Sequence, residues 1–234
     1  NNANLRYEVK EALRQKRNEA KVAAIEEELA GVQSTFSSLA GFQAVRDQLT
    51  TLADLAPKSP VLQGLQSNLT DAFDVELNKQ VKTKNWPAAE QLLVNFSRLF
   101  SLDYLHERRE QLSEAERAAG ANVALSPRST AMVAERRATV AAQLAVEAPE
   151  FGGKWETDLQ VPFKELVAIL PAGDQSLVSV RQQIANLYIA ESESARASRL
   201  TTRARTLIER GSQFYPAYPE FATQAERITE IEAV

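Results

Sequence analysis

The sequence predicts an all-α protein of stacked helical hairpins, an α-solenoid, and three observations carry the prediction. Apolar residues recur at spacings of three and four almost throughout, and no stretch sustains the alternation of a strand. Glycine and proline are scarce, 8 and 9 of 234 residues, while Ala, Leu, Gln, Glu and Arg abound, which favours helix. The chain also repeats its apolar pattern at an offset of about 115 residues.

Composition narrows the function classes. Apolar residues are 44% and charged residues 25% of the chain, the balance of an ordinary folded protein. A net charge of -4 argues against nucleic acid as the main partner, because phosphate binding draws on excess Lys and Arg. The absence of cysteine removes disulfides, thiolate metal sites and cysteine nucleophiles, and suits cytosol or periplasm alike. No run of about 18 apolar residues offers a membrane span, and no signal peptide is visible. The chain opens "NNANLRYEV" without Met, so it is expected to be part of a longer protein, possible membrane anchor included.

Taken in order, residues 1–30 form a leading charged helix. Six basic and six acidic residues lie in it through Glu28, often at i,i+4, around a narrow Ala-rich stripe. Residues 31–120 are the first helical-repeat half. "FSSLAGFQAVRDQLTTLADLA" reads as one helix. The next starts at Ser59-Pro60, an N-cap and N1 pair, and lines up Leu62, Leu65, Leu69, Phe73 and Leu77. "NWPAAEQLLVNFSRLF" begins at Asn85, with Ala89, Leu92, Leu93, Phe96 and Phe100 as its stripe. "LDYLHERREQLSEAERAA" follows and ends at Gly120, placed as a C′ residue. Residues 121–130, around Pro127, read as a linker, and 131–234 as the second half. Its helices are expected near 129–146, 156–170, 174–192, 197–212 and 217–232, with Pro162 tolerable only in a first turn and 150–155 a loop.

The halves superpose in pattern. Leu62, Leu65, Leu69 and Phe73 fall on Leu177, Val180, Ile184 and Tyr188; Ala89, Leu92, Leu93 and Phe100 fall on Ala204, Leu207, Ile208 and Tyr215. One helix pair in each half resembles a degenerate tetratricopeptide (TPR) repeat. Trp86, Ala89 and Phe96 take the aromatic, small and late packing positions in the first. In the second, Ala204 takes the small position, Ile208 the large one after it, and Pro216 the proline that ends the repeat. Leu77 and Ser192 stand where such repeats carry glycine, and Gly211 where a small or aromatic residue is usual. The resemblance implies a groove for a peptide or protein, lined by the first helix of each pair. Asp71, Asp74 and Asn78 would line it in the first half, and Asn186, Ile189 and Glu193 in the second. A solvated helix face is the competing reading. A charged helix leading into such hairpins also looks like the extracytoplasmic part of some bacterial envelope or signalling proteins, which favours a periplasmic location.

Nothing in the sequence asks for catalysis, a cofactor or a metal. His106, the only histidine, has no nucleophile placed beside it and reads as a helix-surface residue. The acidic pairs, among them Glu114 with Glu116 and Glu191 with Glu193, read as solvated ion pairs. "EFGGKW" lacks the spacing of a phosphate loop. Arg196, Arg199, Arg203 and Arg210 flank the stripe of Leu200, Ala204, Leu207 and Ile208. They are either a docking flank for an acidic partner or apolar-edge cover whose heads pair with glutamates. In "QFYPAYPEF", residues 213–221, the rings read as a helix corner that leaves Tyr218 freest to meet a partner.

The expected function is therefore a non-catalytic, protein-binding scaffold within a larger bacterial protein, not an enzyme. The alternatives are a spacer or dimerisation module tethered to a membrane or signalling protein, its homodimer formed through residues 1–30, and a small-molecule sensor.

Overall fold

A computed structural model of the chain describes residues 2–31, 36, 38–121, 125, 127–171, 173–216 and 218–232. Residues 122–124 and 126 of the expected linker lie outside that set. All regular structure among the described residues is helical. In order come α1 (Asn2–Ala30), α2 (Leu39–Ala44), α3 (Arg46–Leu55), α4 (Pro60–Lys82) and α5 (Trp86–Phe96), which runs into a 3-10 turn, Ser97–Leu99. Then come α6 (Leu102–Ala118), α7 (Pro127–Leu144), α8 (Lys154–Ile169), α9 (Gln175–Ala197), α10 (Thr201–Ser212) and α11 (Pro219–Glu232).

The caps follow from local chemistry. Ser59 Oγ accepts from the N–H of Leu62 at 3.4 Å, with Pro60 in the first turn of α4. Asp174 caps α9 by accepting from the N–H of Ser176 at 2.9 Å and of Leu177 at 3.2 Å. Gly120 closes α6 at φ +67, and Ala121 N–H reaches back to Glu116 O at 2.9 Å. The same corner ends α4 and α9 without glycine. Lys84 and Arg199 take φ +56 and +59, while Asn85 N–H donates to Gln80 O at 2.9 Å and Leu200 N–H to Ala195 O at 2.8 Å.

Three local expectations need correction. The segment 36–56 is two helices, because Val45 breaks the run at φ -112, ψ 16, letting Phe42 and Leu49 both turn inward. Pro162 lies inside α8, not in a first turn, although its missing N–H leaves a gap in the ladder. Packing carries the helix through it: Leu159, Phe163 and Leu166 are all buried. Lys154 and Trp155, expected in a loop, already belong to α8.

By contact the chain forms two compact units. Unit 1 holds residues 1–15, 137–162 and 172–234; unit 2 holds 16–136 and 163–171. Within unit 1, α9 packs on α10, α10 on α11, and α11 back on α9. Its core gathers Trp155, Leu159, Ile184, Tyr188, Leu207 and Phe214. Gly211 is required there: a Cβ would sit 2.7 Å from Tyr188 Cβ and 2.8 Å from the Phe221 ring. Within unit 2, α4 packs on α3 and α5, and α5 on α6. The α4 stripe Leu62, Leu65, Leu69, Phe73 and Leu77 is buried throughout, with Phe73 edge-on to Phe96 and Phe100 at 5.8 and 4.8 Å.

Lys84→Gly and Arg199→Gly should each stabilise the protein by about 1 kcal/mol in urea denaturation, since glycine carries no Cβ penalty in the left-handed region. Unchanged or lowered midpoints would contradict that account. Asp174→Ala should cost about 1 kcal/mol at neutral pH. Burial works against the Asp174 charge, but hydrogen bonds from Ser176 and Leu177 and the nearby Arg137 outweigh it and hold the carboxyl below its ordinary 3.8. Its ionised form thus stabilises the fold above that value, and the benefit fades as pH falls through the lowered one. The gap between wild type and variant should narrow in acid in parallel denaturation series.

Candidate functional site

The candidate partner-binding residues fall on both units. Asp71, Asp74 and Asn78 belong to α4 in unit 2; the others belong to unit 1. Helical spacing sets Asp71, Val75 and Asn78 on the side of α4 away from its buried stripe. Asp71 and Asn78 are exposed there, and Val75 between them is 70% exposed. Asp74 has a different role. Arg108 grips both its oxygens at 2.7 Å and Tyr104 Oη donates to it at 2.6 Å, fastening α6 to α4. The Asp74 hydrogen bonds raise the Arg108 pKa further, and burial, with Asp74 beside it, pushes the Tyr104 phenol up. Towards the start of α4, Phe36, Pro60, Val61, Gly64, Leu65 and Asn68 line an open, mainly apolar depression of about 440 Å³. Gly64 faces outward, with nothing within 4 Å of where a Cβ would sit.

In unit 1, α11 partly covers the corresponding side of α9. Tyr218 Oη donates to Asn186 Oδ1 at 2.9 Å, Gln224 donates to Glu193 at 2.5 Å, and Arg227 faces Glu193 at 3.5 Å. Ile189 is half-buried. Tyr218 also stacks on Tyr215 at 5.2 Å and meets Phe221 edge-on at 5.9 Å, so it is a packed corner residue with a half-exposed edge. Phe214 and Phe221 are buried.

Arg203 and Arg210 pair with glutamates. Arg203 binds Glu191, and Arg210 donates to Glu156 at 2.7 Å. Arg196 sits in the last turn of α9 and Arg199 at the left-handed corner behind it. Arg203 and Arg210 line a cleft of about 290 Å³ with Lys10, Glu11, Arg14 and the 148–151 loop. Arg14 pairs there with Glu11 at 2.9 Å and Glu150 at 3.2 Å. Gly152, at φ +75, brings the backbone against both guanidiniums; a Cβ would lie 2.7 Å from Arg14 and from Arg210. Each cation lining the cleft has a carboxylate beside it, so an anion would enter only by displacing a glutamate.

No family model, curated protein or solved structure matches the chain. Among the described residues no group of His, Asp or Glu is arranged to hold a metal ion, and no helix is long and apolar enough to cross a membrane. His106 is half-buried on α6.

One polar constellation has no counterpart in the sequence reading. Arg109 is 1% exposed. Its Nε donates to Ile169 O at 2.6 Å, Nη2 lies 3.7 Å from Glu90, and Nη1 lies 3.6 Å from Glu116 without a hydrogen-bond partner. Ser129 donates to Glu90 at 2.6 Å. Glu116, expected on a solvated face, is 6% exposed, and burial raises its pKa against the pull of Arg109. The signal was its register: Leu102, Leu105, Arg109, Leu112 and Glu116 follow each other at spacings of three and four. A neighbouring cavity of about 40 Å³, lined partly by Glu90, Ser129 and Ile169, has room only for water-sized molecules. The cluster therefore reads as structural.

Arg109→Met should destabilise the protein by about 3–5 kcal/mol, because it strands two buried carboxylates. Adding Glu90→Gln and Glu116→Gln should recover much of that in denaturant titration. Because the folded state holds the Glu116 proton more tightly, stability should fall as pH rises from the ordinary 4.5 through the raised value. Glu116→Gln should flatten that slope.

Proposed function

We propose that this chain is a non-catalytic helical-repeat domain, TPR-like and solenoid in character, that binds another protein or peptide within a larger bacterial envelope protein. The observation that carries the reading is the outward side of α4. It combines an apolar depression beside Gly64, the exposed Val75, and the polar Asp71 and Asn78 on one continuous helix face. Soluble proteins spend exposed apolar surface sparingly, and clusters rimmed by polar groups are where partners dock. A peptide helix or extended segment is the class of ligand such a groove takes.

The pattern offset of about 115 residues in the sequence supports the reading. The helices α4 and α9 each span 23 residues, and their left-handed corners, Lys84 and Arg199, lie 115 positions apart. Ala89 and Ala204, the small residues where paired helices touch, are both fully buried. A duplicated unit that stacks its hairpins leaves one helix face per pair uncovered.

The test is site-specific photocrosslinking in the native cell. A crosslinker at Val75 should give a discrete adduct that Gly64→Arg removes, whereas one at the exposed Glu114 should give none. The same products from both positions, or none from Val75, would refute the assignment.

A further inference from the structure

The helix α1 has two unlike sides. One is engaged: Ile25 and Leu29 are buried, and Arg14 donates to Gly152 O at 2.9 Å. The other carries Leu5, Val9 and Leu13 in the open, at 59, 53 and 58% exposure. Spaced four apart, they advance about 40° around the helix at each step and form a broad front, not the narrow seam of a coiled coil. Around it stand Arg6, Lys16 and Arg17, all exposed, while Lys10 is paired with Glu150. Residues 1–17 contain five basic and two acidic side chains, net +3 in a chain of net -4.

We infer that this face of α1 docks on an anionic lipid surface, the helix lying flat with Leu5, Val9 and Leu13 at the acyl boundary and the cations among headgroup phosphates. A basic helix with an unpartnered apolar front is the form that interfacial binding takes, and it needs no membrane span. Charge complementarity points to the lipid: the segment carries a net +3 towards an anionic surface, whereas parallel pairing of two copies would set +3 against +3, and antiparallel pairing is an outcome of the test below. The α4 groove plays no part in this docking, so the two readings stand or fall separately.

The test is co-sedimentation of the full chain with vesicles of phosphatidylcholine, alone or with about one-third phosphatidylglycerol. Binding should require phosphatidylglycerol and weaken with salt. Lys16→Gln and Arg17→Gln should each lower partitioning about fivefold. Leu5→Gln/Val9→Gln/Leu13→Gln should abolish it while circular dichroism and thermal midpoint stay unchanged, since these side chains are exposed. Equal binding to neutral vesicles, or retention by the triple variant, would overturn the proposal. So would absence of vesicle binding, with or without a concentration-dependent dimer in sedimentation equilibrium that the triple variant loses.

Discussion

Burial of the Arg109 guanidinium is the constraint on which unit 2 depends. A cation removed from water needs compensation on every side, and here each compensating group comes from a different place in the chain. Glu116 lies two turns along the same helix, Glu90 comes from α5, and the Ile169 carbonyl from the end of α8. Glu90 in turn holds Ser129 of α7. Four helices are thus registered by one side chain, and none can slide by a turn without stranding a charge. The value of such a cluster is specificity of arrangement more than net stability, because hydrophobic residues of similar size would fill the space at less desolvation cost.

The same constraint accounts for the membership of residues 163–171 in unit 2. Besides the Ile169 carbonyl, Lys164 donates to Arg98 O at 3.2 Å, and Glu165 pairs with Arg136. Burial lowers the Lys164 pKa against the pull of Asp54. Unit 1 is organised differently, around aromatic rings and close approach. Tyr188 packs against Phe151 and Phe214 at 5.0 and 5.7 Å and donates to Glu156 at 2.6 Å, and Arg210 binds the other oxygen of that carboxylate. Its two tight contacts, at Gly152 and Gly211, need the absence of a side chain.

What could be read from the sequence was what local chemistry decides. The α4 stripe, the Ser59 cap and the Gly120 corner follow from residue type and spacing alone. What could not be read depends on distant partners. Arg109 and Glu116 occupy apolar-register positions, but inside a segment so rich in charge that only the facing Glu90 and Ile169 carbonyl distinguish them from solvated neighbours. Pro162 breaks a local rule that packing on both sides overrides. Of the candidate site residues, exposure at Asp71 and Asn78 followed from the period of α4. The engagement of Asp74, Asn186 and Glu193 required knowing where the third helix of each set lies.

That third helix decides which face is left open. Tyr104, near the start of α6, reaches Asp74 on α4, whereas Tyr218, just ahead of α11, reaches Asn186 on α9. Asn186 stands 115 positions after Asp71 and 112 after Asp74, so at the sequence offset of 115 the two tyrosine contacts lie about one helical turn apart. In unit 1 the tyrosine hydroxyl meets Asn186, which stays exposed as Asp71 does in unit 2. Further along α9, Gln224 and Arg227 engage the half-exposed Glu193, while Asn78 on α4 is exposed. Two helices of equal length and like corners therefore differ in which of their polar residues the neighbouring segment engages, Asp74 on α4 and Asn186 and Glu193 on α9.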